Sequence, residues 1–319
     1  MIRFLLKRFA WSALVIWIVA TSVFVIYFAV PHDVARLIAG RQASEETVKI
    51  VRVRLGLNRS AYVQYLSFLG RLARGDLGQS FITQESVNTI VARDFPITAS
   101  LALGSAILWL GLGVGAGVLA AKKRGSIPAR IITTVALGFY SMPTFLLGQL
   151  LLFFLFFRLY MAGFEFFPPG SYVAFSESPL QWARFLALPW LSIALVSAAT
   201  YSRLTRSAML DALEEDYIRT ARAKGLKESR ITWRHALRSS LTPVVSQFGI
   251  DLGTLLGGAI VTEVVFGLPG LGREAVQAIT TQDLPIIMGI TMLSTTLVVV
   301  ANLGVDLCHA LLDPRIRLE

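Results

Sequence analysis

A single cysteine in 319 residues, Cys308, rules out a disulfide within the chain and leaves nothing from which to build a redox dithiol or a cysteine metal cluster. Histidine is nearly as scarce. His32, His235 and His309 lie far apart with no acidic neighbour at metal-ligand spacing, so no metal site is expected. There is no H-E-x-x-H or G-x-S-x-G, which disfavours an intramembrane protease or lipid transferase, and no Gly-x-x-x-x-Gly-Lys-Ser/Thr phosphate loop with which the chain itself would hydrolyse ATP. Charge is sparse as well. Charged residues make up 16% against 55% hydrophobic, and the mean hydropathy of +0.63 is poor for a surface facing water. Lipid is the expected solvent, although the length would suit two soluble domains.

The charges present are unevenly signed, with a formal net charge of +10. Nucleic acid is not the partner this implies, because the cations sit in short clusters between long uncharged runs. A helix needs roughly 20 apolar residues to cross about 30 Å of hydrocarbon, and six runs qualify. They are Phe9 to Val30, Phe95 to Ala121, Ile131 to Phe157, Phe185 to Ser202, Ser239 to Thr262 (interrupted by Asp251) and Leu284 to Val305; the fourth is the shortest. Residues 1–30 start like a secretory signal, with Arg3, Lys7 and Arg8 before an apolar run. The run is long for a signal core and no small-x-small cleavage site follows, so an uncleaved first span is expected.

Cations in short loops resist translocation, and the short loops agree. Arg3 to Arg8, Lys122 to Arg130, Arg203 to Arg238 and Arg315 with Arg317 all belong on one side, which places both termini in the cytoplasm. Residues 31–94 are also arginine-rich, but long loops cross largely regardless of charge. Helix-like stretches (Ser44 to Leu55, Ala61 to Ala73) alternate there with turn material such as Gly75 to Ser80, so a small external subdomain is predicted. The transmembrane core is then 95–311, with a cytoplasmic connection at 203–238 and a tail at 312–319.

Within that connection, Asp216-Tyr217-Ile218-Arg219-Thr220-Ala221-Arg222-Ala223-Lys224-Gly225-Leu226 carries the sharpest signal. Leu213, Tyr217 and Ala221 share one face of a helix, and Gly225 is placed to end it in a left-handed turn. Periodicity alone fits two things equally, a helix entering a partner's apolar groove or a basic amphipathic helix on anionic lipid. The stretch resembles the loop by which permeases of the type I ATP-binding-cassette importers, in their peptide-transporter version, dock onto ATPase subunits. The common spelling begins Glu-Ala-Ala; here those places read Arg219-Thr220-Ala221, and the glycine is kept at Gly225. Arg74 to Gly78, Arg203 to Leu210, Gly253 to Glu263, Gly267 to Gly272 and Asp313 to Arg317 are also similar to peptide permeases, whereas Pro31-His32-Asp33-Val34 replaces that family's usual Pro-Gly-Asp-Pro.

In the fifth run, Gly249, Gly253 and Gly257 recur every four residues and form a smooth packing face. Asp251 lies about 200° from Gly249, with Gly258 and Thr262 on its side and Thr254 flanking it. A carboxylate avoids lipid, so this face is expected to border a translocation path or to hydrogen-bond a neighbouring helix. Gly111, Gly113, Gly115 and Gly117 read as close packing, Pro143 as a kink in the third span, and Glu263 and Asp306 as charges near span ends reaching interface water.

The fold class expected is therefore an all-α membrane protein with six transmembrane helices. The resemblance implies a type I importer permease in a bacterial inner membrane, paired with a second, similar permease, two ATPase subunits that use ATP and Mg, and an external solute-binding protein that delivers di- or oligopeptides. It implies no cofactor on this chain. Nickel chelates, glutathione or oligosaccharides are alternative cargoes, and a channel or secondary transporter is the remaining alternative, disfavoured by the absence of inverted halves. The orientation is open to test with single cysteines at Ser60 and Gly125 in a Cys308→Ser background. A membrane-impermeant thiol reagent added outside should label the first and spare the second; the reverse pattern refutes the topology.

Overall fold

The computed structural model describes residues 2–29, 34–40, 42–54, 56–168 and 170–312, and among these the chain is helical, with only an isolated antiparallel pairing of Gln79 with Ser86. Residues 31–33 and 313–317, two of the stretches that bear on the resemblance, lie outside the described residues, as do the side chains of His32 and His309. In order the helices are α1 (Ile2–Ala29), α2 (Val34–Ala39), α3 (Glu45–Arg54), α4 (Ala61–Ala73), α5 (Val87–Lys122), α6 (Ile127–Tyr140), α7 (Thr144–Leu151), α8 (Arg158–Met161), α9 (Pro179–Glu214), α10 (Asp216–Ala223), α11 (Glu228–Arg230), α12 (Leu237–Leu256), α13 (Ile260–Phe266), α14 (Leu271–Thr281) and α15 (Leu284–Leu312). Wider π-helical turns at Leu152–Phe157 and Ile231–Ala236 join α7 to α8 and α11 to α12.

Five of the segments are long and apolar enough to cross a membrane, and a bent pair of helices passes the same test when its halves are taken together. Three differ from what the apolar runs predict. The third run does not kink at Pro143. It breaks there, α6 ending at Tyr140 and Pro143 capping α7, so the span is Thr144–Met161, preceded by a separate apolar helix of 14 residues. Proline disfavours helical geometry in the residue before it, and Met142 lies in the turn. The fourth span is not short: α9 has 36 residues, about 54 Å at 1.5 Å per residue, and carries Arg203 and Arg206 beyond its apolar part. The fifth is interrupted at Gly257-Gly258-Ala259, where Gly258 adopts φ +132° and the two halves meet at 51°.

The chain forms two compact units, one comprising Met1–Phe95 with Glu274–Thr296 and the other Pro96–Arg273 with Leu297–Glu319. In the first, Ala20 and Phe24 of α1 are buried with Phe68 of α4 and Met292 of α15, and the Thr21 and Tyr65 hydroxyls share a 2.7 Å hydrogen bond. Helix α4 ends at Gly75, φ +75°, where the Asp76 amide donates to Arg71 O at 3.0 Å and the Gly75 amide to Leu72 O at 2.9 Å. This left-handed glycine end satisfies two carbonyls that would otherwise lack partners. The loop that follows is tied down by Asn88, which accepts from the Leu77 amide and donates to Gly75 O, and by the buried Asp283 carboxylate, which accepts from the Ser80 hydroxyl at 2.5 Å and the Phe81 amide at 3.1 Å.

In the second unit α5 and α9 lie backbone to backbone. Gly104 sits under the Trp190 indole, whose Nε1 donates to Ser100 O at 3.0 Å. A β-carbon on Gly113 would lie 2.6 Å from Tyr201 Cβ, and one on Gly117 would lie 2.6 Å from Thr205 Cβ and 2.7 Å from Ser202 O. Gly111 and Gly115, in the same cluster of glycines, have open space instead. Leu101, Trp109, Leu186, Ile193 and Tyr201 fill the seam, with Val244 of α12 and Phe266 of α13 against it. Gly117→Ala must push the helices apart, at a cost of about 1–3 kcal/mol. Gly115→Ala should be neutral or stabilising by up to about 1 kcal/mol, because alanine is the better helix former. Thermal unfolding in detergent distinguishes them, and equal midpoints would show that the seam does not depend on Gly117.

Candidate functional site

The chain turns sharply at Glu215, which is extended (φ −68°, ψ 149°) and separates α9 from α10. Leu213 therefore belongs to α9. The stripe of Leu213, Tyr217 and Ala221 that one continuous helix would form is divided, and this corrects the face predicted from periodicity. Helix α10 lies on the end of the α5–α9 seam. Its Ile218 is fully buried and its Ala221 nearly so, in a cluster with Val118 and Ala121 of α5, Met209 and Ala212 of α9, and Ile231 and Ala236 of the turn before α12. Leu213 and Leu226 pack against the same cluster from its edges.

Ala221 consequently faces the protein's own core and is not offered to a partner. The exposed face is Asp216, Tyr217, Arg219, Thr220, Arg222, Ala223 and Lys224. Tyr217 is 44% exposed, with its hydroxyl 2.7 Å from Ser239 Oγ. Arg219 donates to Asp216 at 3.2 Å and Arg222 to Glu228 at 2.9 Å, both at the surface, where solvent leaves such pairs little holding power. The end of the helix is well defined: Gly225 takes φ +74°, its amide donates to Arg222 O at 2.9 Å, and the Leu226 amide donates to Ala221 O at 3.3 Å. That pair of bonds is the Schellman arrangement, and Leu226 supplies its apolar contact. The arrangement presents a short, rigid, aromatic and cationic edge on a hydrophobic footing. Ile218 lies outside the face that periodicity predicts, although its spacing of three from Ala221 is a legible signal.

The four residues expected beside a path are not gathered on one helix face, because the 51° break intervenes. Asp251 is half-buried on α12 and held by two donors, Tyr201 Oη of α9 at 2.8 Å and Gln247 Nε2 at 2.9 Å. It therefore makes the hydrogen bond to a neighbouring helix that its position allowed. Thr254 is exposed and bonded to Ile250 O, Gly258 lies in the break, and Thr262 is buried on α13. Of the packing glycines, Gly249 abuts Val305 and Gly253 would place a β-carbon 2.9 Å from Val298 Cα, both on α15; Gly257 instead caps the end of α12.

Glu263 departs furthest from expectation. It does not reach interface water but is fully buried. Its carboxylate accepts from the Thr98 hydroxyl of α5 at 2.8 Å and the Arg273 amide at 2.9 Å, while Thr98 Oγ1 accepts from the Leu271 amide at 2.9 Å. The Gly267 to Gly272 loop closes over it. A β-carbon on Gly270 would lie 2.5 Å from the Glu263 carboxyl carbon, and one on Gly272 2.7 Å from Ile260 Cα, so these two glycines answer a lack of room, whereas Gly267 answers a positive φ of +66°. Further along α14, burial and the nearby Asp94 carboxylate, with smaller contributions from Asp283 and Glu85, push Glu274 above the usual carboxylate range against the opposing pull of Arg93. Among the described residues no group of His, Cys, Asp or Glu is arranged to hold a metal ion.

Comparison with known proteins covers the whole of this architecture. A family model described as binding-protein-dependent transport system inner membrane component matches residues 113–318, and its N-terminal companion matches residues 1–102. A putative peptide transport system permease protein of Brucella abortus (strain 2308) is 39% identical over 319 residues, all of both chains. The di/tripeptide transport system permease protein DppB of Pseudomonas aeruginosa and the glutathione transport system permease protein GsiC of Escherichia coli O6:H1 are each 35% identical over 99% of this chain and of theirs. Among solved structures, a chain of the MetNI methionine ABC transporter in an inward-facing conformation shares the fold, with a TM-score of 0.52 at 20% identity over 70% of this chain and 96% of that one.

The Glu263 arrangement predicts a specific cost. Thr98→Val removes one donor from a fully buried carboxylate and leaves the Leu271 amide without its acceptor, so the variant should lose about 1–3 kcal/mol of stability, whereas Thr98→Ser should lose far less. Thermal unfolding of the two variants side by side decides it, and a valine variant as stable as the serine one refutes the role given to Thr98.

Proposed function

Because the chain belongs to the family of binding-protein-dependent transport system inner membrane components, and is a multi-pass transport component on that ground, we propose that it is the permease subunit of an ATP-driven peptide importer in a bacterial inner membrane. It forms half of the translocation path, a second, homologous permease forms the other half, and an external solute-binding protein delivers the cargo. The sequence carries no Gly-x-x-x-x-Gly-Lys-Ser/Thr phosphate loop, and in this reading two ATPase subunits, using ATP and Mg, supply the energy.

The observation that carries this reading is the footing of α10. Force applied to its exposed edge passes through Ile218 and Ala221 into the cluster formed by the ends of α5 and α9, two helices of 36 residues each. Close-packed interiors transmit such displacement with little compression. The ATPases would grip the Asp216 to Leu226 segment, so that their closure on ATP tilts α5 and α9 and opens the path outward; reopening after hydrolysis reverses the movement. Cargo identity rests on the relatives, and it has a second reading. GsiC, named for glutathione transport, matches as well as DppB, named for di- and tripeptides. Glutathione is itself a tripeptide, so both readings fall within one chemical class.

Gly225→Val isolates coupling from folding. A β-carbon there meets nothing within 4 Å, so the penalty comes only from forcing a β-branched residue to positive φ. The variant should insert and pair normally yet lose most ATPase stimulation by loaded binding protein and most peptide uptake, measured on one reconstituted preparation. Tyr217→Asp, at the exposed edge, should do the same. Ala221→Asp is unsuitable, because it would bury a charge in the chain's own core. Wild-type stimulation and uptake in both of the first two variants would rule out α10 as the coupling element.

A further inference from the structure

The first compact unit contains a cavity of about 380 Å³ that the proposed coupling mechanism does not use, within the size range of small-ligand sites. Its lining brings together Arg59, from the turn before α4, Arg71, from the last turn of α4, and Asp76, just past that helix. Among the described residues neither arginine forms an ion pair, and neither guanidinium donates a hydrogen bond. Both side chains are exposed to solvent at the cavity, and a planar carboxylate accepts two parallel N–H bonds from a guanidinium fork.

The backbone that carries these groups is fixed before any ligand arrives. The Gln64 side-chain amide donates to Arg59 O at 2.8 Å and fixes the turn. Arg71 O receives the Asp76 amide at 3.0 Å through the left-handed end at Gly75, and Asp76 Oδ1 receives the Gly78 amide at 2.9 Å, which leaves its second carboxylate oxygen available to a cation. The cavity thus offers two cationic groups and one anionic group, with the Gln79 carboxamide also in its wall. Of its three aromatic members, Phe24 and Phe68 are stacked on each other with centroids 5.8 Å apart, while Phe81 lies in the wall with Leu57, Leu77, Pro285 and Met288 and adds apolar surface beside the charged groups.

We propose that this cavity binds a small zwitterionic peptide, with Arg59 and Arg71 taking its carboxylate and Asp76 its ammonium. The proposal rests on the reading of the chain as a peptide permease and adds to it a subsite on this chain, separate from the binding protein. No covalent step is involved. Selection by a free C-terminus is the consequence: a peptide lacking that charge gains nothing from the two arginines.

The test uses the assembled transporter in phosphatidylcholine nanodiscs without binding protein, titrated with radiolabelled Ala-Phe and with its C-terminal amide. Arg59→Gln with Arg71→Gln should weaken binding of the free acid at least about tenfold, the scale of one charge-assisted hydrogen bond, and leave the amide unaffected. In the wild type the amide should bind as weakly as the acid binds the double variant. Equal binding of acid and amide, acid binding that survives both substitutions, or no acid binding by the wild type overturns the site. Displacement of Ala-Phe on adding phosphatidylethanolamine overturns it as well and assigns the cavity to a lipid headgroup. ATP-driven uptake of Ala-Phe, measured on the same preparation with binding protein present, separates the two claims. Uptake without arginine-dependent binding removes the site and keeps the transport reading, whereas arginine-dependent binding without uptake keeps the site and removes that reading.

Discussion

The structure depends on how closely α5 approaches α9. In lipid, apolar side chains gain little from leaving one hydrocarbon environment for another, so helices associate through close packing and hydrogen bonds. Contact at Gly113 and Gly117, with no side chain between α5 and the backbone of α9, gives the second compact unit a pair of 36-residue helices to build on. Everything assigned to function in that unit is attached to the pair. Helix α10 rests on one end of it, and Tyr201, packed against Gly113, reaches across to Asp251 on α12. A β-carbon at either glycine would therefore disturb core packing, the footing of α10 and a polar bond between spans together.

The two acidic residues of the broken span are held in different ways. Asp251 is fixed by side chains, a tyrosine hydroxyl from another helix and a glutamine one turn away on its own. Glu263 is fixed by a threonine and a backbone amide, under a loop that closes only because Gly270 and Gly272 have no side chains. Side chains change rotamer with little cost, whereas backbone folded over a buried carboxylate does not move without exposing an unpaired charge.

Hydropathy made the number of spans legible, because roughly 20 apolar residues have few other uses. Their interruptions were harder to see. Pro143 and the pair Gly257-Gly258 stand openly in the sequence, but a window that averages apolarity passes over three-residue breaks, and glycine is common enough in membrane helices to be read as packing. The error at Glu263 has another cause: a charge directly after the fifth apolar run looks solvated unless the chain is known to fold back over it. At α10 the glycine end was readable, since few residues other than glycine favour positive φ, while the buried face was misjudged because periodicity assumes an unbroken helix and Glu215 ends one.

The break at Gly257-Gly258-Ala259 separates these two acidic groups, and that placement has mechanical content. On one side α13 is anchored through Glu263 to the Thr98 hydroxyl of α5 and to the Arg273 backbone amide of α14. On the other, α12 packs through Gly249 and Gly253 on α15 and through Asp251 on Tyr201. Gly258 lies between them at φ +132°, a conformation that residues with side chains rarely adopt. The two halves of the span are therefore tied to different neighbours, α12 to α9 and α15, and α13 to α5 and α14, and the backbone changes direction between them at the glycine pair.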